Sequence, residues 1–152
     1  MSPLSRKDIN DSFSLRGLTP PAQKRYIILM PIKTKRWNDD RETDDGFRLL
    51  ICRYRPRALK KADETWDKWE KNLGPSRELH ADFYGKHGPP IDLETYRRRY
   101  LQEMESQKEK IAELARRVAA GETITLLCSS ACVDPDHCHR TLLKQLIEKE
   151  KS

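Results

Sequence analysis

The chain has 152 residues, 36% of them hydrophobic and 36% charged, with a formal net charge of +6. That length suits one domain with one core; the charge fraction predicts a heavily charged surface or an unstructured end. No apolar run reaches membrane-spanning length, and the N-terminus lacks the apolar stretch of a signal peptide, so an intracellular, cytoplasmic protein is expected.

Residues 1–25 alternate polar and small side chains around Pro3, Gly17, Pro20 and Pro21, and carry Arg6, Lys7, Arg16, Lys24 and Arg25. They read as a flexible basic N-terminal arm, followed by one domain over 26–152. Residues 26–30, Tyr-Ile-Ile-Leu-Met, predict a first strand, with Lys33, Lys35 and Arg36 just beyond it. After a polar loop over 38–46, residues 47–54 predict a second, buried strand ended by Pro56. Trp66, Trp69 and Leu73 recur at roughly helical spacing before Gly74-Pro75; an extended path between two short elements is the alternative. Ser76 is placed to cap a brief helix through Phe83 or Tyr84. Leu93, Tyr96, Tyr100, Met104, Ile111, Leu114 and Val118 predict one long helix over about 92–120, with a polar gap at Gln107 and Lys108. A last strand over 123–128 and a closing helix over about 137–149 complete the chain. The pattern predicts an α/β fold, a small single domain with a mainly parallel central sheet flanked by helices. The long helix would form a right-handed crossover into the last strand.

Chemistry concentrates in residues 128–140, CSSACVDPDHCHR, which hold three of the four cysteines and two of the four histidines. They join a strand to a helix, where ligands of open α/β sheets tend to bind. Three cysteines crowded into eleven residues do not resemble a spread disulfide framework; reduced thiols or a metal cluster fit better. Arg36, Arg53, Arg57 and Arg140 lie at predicted strand ends or the following helix start, and would hold a small anionic or phosphate-bearing ligand if those ends converge. The competing expectation is that they pair with the many local acids. The candidate catalytic groups are His139, which would exchange a proton, with Cys128 and Cys138, whose thiols neighbour a helix start. Neither a cysteine, five residues and an arginine nor a Cys-x-x-Cys pair is present. A third reading is a zinc site made by Cys128, Cys132, Cys138 and either His137 or His139, although gaps of three and five residues differ from the paired spacing of zinc ribbons.

The positive charge also admits nucleic acid, with Trp37, Tyr54 and Tyr84 set among basic residues and the arm and Arg97, Arg98 and Arg99 as contact surfaces. A monomer, or a homodimer joined through Trp66 or Trp69, is the remaining expectation about partners; no membrane is expected.

From about Tyr26 onward the chain resembles the DUF488 family of small, mostly bacterial and archaeal proteins. Lys35-Arg36 resembles the family's lysine-arginine pair after the first strand, and Cys52-Arg53 followed by Arg55-Pro56-Arg57-Ala58 resembles its central turn. Arg97-Arg98-Arg99-Tyr100 is similar to its arginine-rich helix. Cys128, Pro135 and Cys138-His139-Arg140 resemble its C-terminal signature. Cys52 stands where the family commonly has aspartate, Arg55 where it has an aromatic residue, and Ala58 where it has glycine. The resemblance implies the α/β fold and a site near these motifs, without implying a reaction.

Overall fold

The computed structural model describes residues 32–151. The expected arm over 1–25 and the expected strand over 26–30 lie outside these residues. In chain order the elements are β1 (Ile32–Arg36), β2 (Phe47–Leu50), β3 (Lys68–Trp69), α1 (Arg77–Phe83), α2 (Leu93–Met104), α3 (Lys108–Ala119), β4 (Ile124–Cys128) and α4 (His139–Lys151). Among the described residues the four strands form one parallel sheet in the order β1-β4-β2-β3, so the fold is a small α/β domain.

Strand alternation divides the core into two layers of different chemistry. On one face Ile32, Leu49, Ile124 and Leu126 pack against Tyr100, Met104, Leu114 and Val118 of α2 and α3 and Leu143 and Ile147 of α4. Every residue of β4 is buried, as suits a central strand. Each large apolar side chain buried in this way stabilises the fold by about 1.5–3 kcal/mol. On the opposite face Leu50 and Leu127 meet Trp66, Trp37, Leu59 and Trp69, which come from connecting segments and β3 rather than from helices.

That second face also buries charge. Lys33 and Arg48 both stand opposite Thr125 in the register. Asp45, 1% exposed, accepts from Lys33 Nζ at 2.8 Å, Lys35 Nζ at 3.1 Å and the Glu42 amide at 3.1 Å, and pairs with fully buried Arg48. Burial opposes the Asp45 charge, but the lysine hydrogen bonds outweigh it and hold the carboxyl well below its ordinary range. Next to it, Gly46 adopts φ +65°, and a Cβ there would stand 2.3 Å from the Thr123 carbonyl oxygen, which accepts from the Phe47 amide. Only glycine fits this approach.

Several expected boundaries move. Lys33, Lys35 and Arg36 lie inside β1 rather than beyond a strand, with the two lysines directed to Asp45. Strand β2 ends at Leu50, four residues before the expected Tyr54, although the Ile51 amide still donates to the Leu127 carbonyl. Residues 58–74 form no α-helix; the extended alternative is the one adopted, with β3 between single 3-10 turns at Lys61–Asp63 and Lys71–Leu73. The tryptophans meet the sheet instead of forming a helix stripe: Trp69 Nε1 donates to the Cys52 carbonyl at 2.7 Å, and Trp66 packs edge-on against Trp37. The predicted long helix is two helices, separated by a 3-10 turn at Glu105–Gln107 where the apolar stripe lapses. Ser76 caps α1 as its sequence position predicts, accepting from the Leu79 amide, while Glu103 of α2 accepts from the Ser76 amide and hydroxyl. No helix among the described residues is long and apolar enough to cross a membrane.

Candidate functional site

Because the sheet is parallel, the chain leaves β1, β2 and β4 along one edge. Cys128 closes β4 there, and Ile51 and Cys52 immediately follow β2, the neighbouring strand. The loop after β4 turns back on itself. Ser129 Oγ accepts from the Ala131 amide, the Ser129 carbonyl accepts from the Cys132 amide, and a 3-10 turn over Pro135–His137 follows. Asp134 caps this turn, accepting from the Asp136 amide at 3.0 Å; α4 itself begins only at His139, two residues later than expected.

The folded loop gathers its sulfurs. One potential ligand atom from each of Cys128, Cys132 and Cys138 lies within 4.8 Å of the others. Cys138 Sγ stands 3.2 Å from Cys128 Sγ and accepts from the Arg140 amide at 3.5 Å. His139 Nδ1 lies 4.0 Å from Cys128 Sγ and 3.9 Å from Cys138 Sγ. Its Nε2 lies 2.8 Å from the Ile51 carbonyl oxygen, which can only accept. The proton therefore sits on Nε2, and the Nδ1 lone pair faces the sulfurs. Burial lowers the His139 pKa to about 4, so the ring is neutral. Cys128 and Cys138 are buried and Cys132 is partly exposed. Hydrogen bonding to Cys128 and Cys138, opposed by burial and helped by the nearby Arg140 guanidinium, brings Cys132 down to about 3; hydrogen bonding with Cys132 raises Cys128, and hydrogen bonding with Cys128 and Cys132 raises Cys138.

These thiols and His139 line a cavity of about 340 Å³, whose wall includes His80, Phe83, Tyr84 and Tyr96. Cys52 lines it too, and belongs to the same buried cluster as Cys128 and Cys138. In the sequence Cys52 stands out only where the resemblance implies an aspartate; its place one strand over from Cys128 follows from the pairing of β2 with β4. His137 takes a different position. It is 61% exposed in its side chain and its Nδ1 is 3.0 Å from Asp134. The imidazole beside the sulfurs is thus His139, not His137.

The four arginines separate into two pairs. Arg36 holds Asp39 through Nε and Nη2 and donates to the Ser130 carbonyl. Arg140 adds its field to Asp39, and its buried Nε and Nη1 have no hydrogen-bond partner. Arg53 donates to the Pro75 carbonyl and to Asn72, and lines a second cleft together with exposed Arg57. This cleft shares Cys52, Arg53, Tyr54, His80 and Ser129 with the thiol cavity. Glu42, Asp44 and Asp45 form a third group with ligand-like spacing. Lys33 Nζ lies 3.2, 3.0 and 2.8 Å from those three carboxylates, so an ammonium already occupies the point where they converge.

The sequence model of the DUF488-N3a family, described as the active DUF488-N3 subclade, matches residues 32–151. The chain belongs to the DUF488 family. This DUF488 chain is 36% identical over 111 residues to uncharacterized protein YeaO of Escherichia coli (strain K12), covering 71% of this chain and 90% of that protein. It is 28% identical over 116 residues to uncharacterized protein Rv3073c of Mycobacterium tuberculosis (strain ATCC 25618 / H37Rv) and to uncharacterized protein Mb3100c of Mycobacterium bovis (strain ATCC BAA-935 / AF2122/97), covering 76% of this chain and 92% of each. No solved structure matches significantly. Membership places the cysteine and charged clusters within a DUF488 α/β domain.

Proposed function

We propose that this DUF488 domain holds a zinc ion between Cys128, Cys132, Cys138 and His139, tying the end of β4 to the start of α4. The observation that carries this reading is the neutral His139 ring, fixed by Ile51 with its lone pair toward the thiol cluster. A four-coordinate zinc with Zn–S bonds of about 2.3 Å separates its sulfurs by about 3.8 Å. The observed spacing, from 3.2 Å for Cys128–Cys138 to within 4.8 Å for the whole group, lies close to that value. A carbonyl that orients the second ring nitrogen is the usual support of a metal-bound histidine. Simple thiol catalysis fits less well, because Nδ1 faces the two buried thiols while the accessible one is Cys132.

Elemental analysis and native mass spectrometry of untagged protein purified under reducing conditions test this. About one zinc per chain is expected, lost in Cys132→Ser, Cys138→Ser and His139→Ala and kept in His137→Ala. Metal-free protein, or protein whose zinc survives all three substitutions, overturns the reading, and so does a Cys128–Cys138 disulfide persisting in reductant.

A second reading, anion binding, draws on the adjoining cleft. Arg53 and Arg57 share it with Arg55, Lys71, Arg77 and Lys86, and no aspartate or glutamate among the described residues lines it. Guanidinium groups suit phosphate or carboxylate. Arg36 and Arg140 lie outside that lining, and on this reading the cleft pair Arg53 and Arg57 does the binding. Isothermal titration with pyrophosphate tests it: binding weakened in Arg57→Ala supports the reading, and no binding at low salt rejects it.

A further inference from the structure

We infer that the basic cleft receives a single-stranded segment of nucleic acid, with phosphates on its cationic wall and bases against exposed aromatic rings. The inference rests on the anion-binding reading of the cleft and names the anion's class.

The cleft occupies about 800 Å³ and is lined by Arg53, Arg55, Arg57, Lys71, Arg77 and Lys86. Arg55 is engaged with Glu64, and Arg53 with Pro75 and Asn72. Arg57, Lys71, Arg77 and Lys86 are exposed and make no side-chain hydrogen bond or ion pair with the described residues. Elsewhere on the molecule cations sit beside acids: Lys33 and Lys35 hold Asp45, Arg99 holds Asp82, and Arg117 holds Glu122. The four cleft cations without a carboxylate partner among the described residues are a local concentration of positive potential, which attracts a polyanion more strongly than it does a single charge.

Aromatic groups decide the class. Tyr54 is 48% exposed and Tyr84 56% exposed, and both are large rings that a core would normally bury. They flank His80, with centroid distances of 5.1 Å for Tyr54–His80 and 4.6 Å for His80–Tyr84. Tyr54 and His80 line both the basic cleft and the thiol cavity, and Tyr84 lines the thiol cavity beside them. Phosphate alone has no use for such a ladder. Unstacked bases do, because each presents a π face, whereas a duplex keeps its bases stacked inside. The surfaces expected from sequence are less suited to this. Arg97 is tied to the Asp136 carbonyl and Arg99 to Asp82, and the basic arm lies outside the described residues.

The test is fluorescence anisotropy on the full chain with labelled ten-nucleotide single strands, one DNA and one RNA, and the matching duplex, alongside calorimetry with pyrophosphate. Single strands are expected to bind at least tenfold more tightly than duplex, with the DNA and RNA arms reporting which sugar is preferred. Tyr54→Ala/Tyr84→Ala should weaken single-strand binding about tenfold or more while leaving pyrophosphate binding unchanged. Arg57→Ala/Arg77→Ala/Lys86→Ala should weaken both, and reduce the salt slope for single strands by about 2. These substitutions fall on exposed side chains, so unchanged melting temperatures accompany the expected result. Pyrophosphate binding without single-strand preference, or tyrosine variants that bind strands normally, overturns the nucleic-acid inference and leaves the anion reading standing. Binding of neither probe overturns both.

Discussion

Two buried polar regions lie at opposite extremes of this small domain. In the Asp45 cluster each charge meets an opposite charge: Lys33, Lys35 and Arg48 surround one carboxylate, and the Thr125 hydroxyl donates to the Asp45 carbonyl. Only Nη2 of Arg48 is left without a partner. In the thiol cavity the polar groups converge without using up one another's capacity. Three sulfurs and one imidazole lone pair face a common space, and Arg140 nearby leaves both Nε and Nη1 unpartnered. Burying polar groups is costly unless they are paired, so a closed network speaks for structure and an open one for a missing ligand. Both regions carry grouped ligand-type residues; the state of their partners separates them.

Removing the proposed ligand should give the largest effect. Chelation of the purified protein is expected to lower its stability by several kcal/mol, on the order expected when a structural site loses its metal, as read by urea denaturation with and without chelator. Identical curves would make the thiol cavity as self-sufficient as the Asp45 cluster and would dissolve the contrast. Next in size, Asp45→Asn leaves Arg48 buried beside an uncharged group and should cost about 3–5 kcal/mol in the same assay, without changing metal content. A loss below about 1 kcal/mol would remove the structural role of that cluster.

Acid sharpens the comparison. The folded Asp45 carboxyl is held below its unfolded value of about 3.9, so the folded state binds fewer protons and the stabilisation is complete above that value. It fades as pH falls toward the depressed folded pKa. Wild-type stability should therefore fall more steeply than that of Asp45→Asn between about pH 5 and pH 2. Parallel pH profiles would count against the charge cluster.

Smaller effects test the frame around the cavity. Tyr100 is fully buried, stands 5.5 Å from His139 by ring centroids, and donates to the Leu73 carbonyl at 2.7 Å. Tyr100→Phe should cost about 1 kcal/mol by thermal denaturation, leaving zinc in place. Ala58 adopts φ +58° at the position where the family commonly has glycine. Ala58→Gly relieves that conformation and should stabilise by about 0.5 kcal/mol once the looser unfolded chain is counted, a shift readable in the urea midpoint.

Much of the local structure was legible in the residues. The Ser76 cap, the apolar stripe of α2 and α3, its lapse near Gln107, and strand β4 all follow from patterns spanning a few residues. The segment with Trp66 and Trp69 was less legible, because a helical spacing of aromatics describes a face only if the backbone is free to form a helix. Here the backbone of β3 pairs with β2. Lys33 and Lys35 misled for a related reason: charged residues read as a loop until Asp45 is brought under the strand to receive them.

The site divides in the same way. Sequence alone determined that thiols and histidines crowd between the last strand and the last helix, and that an arginine follows them, because covalent neighbours cannot separate far. It also determined the α/β class through the order of apolar runs. Only the tertiary structure decided that His139 faces the sulfurs while His137 pairs with Asp134, because a shift of two residues at a helix start changes which side of the loop a ring occupies. The same holds for Cys52 and the cleft formed by Arg57, Arg77 and Lys86, whose members lie far apart in the chain. Strand order and the parallel register bring them to one edge, and those depend on long-range pairing that no local pattern encodes.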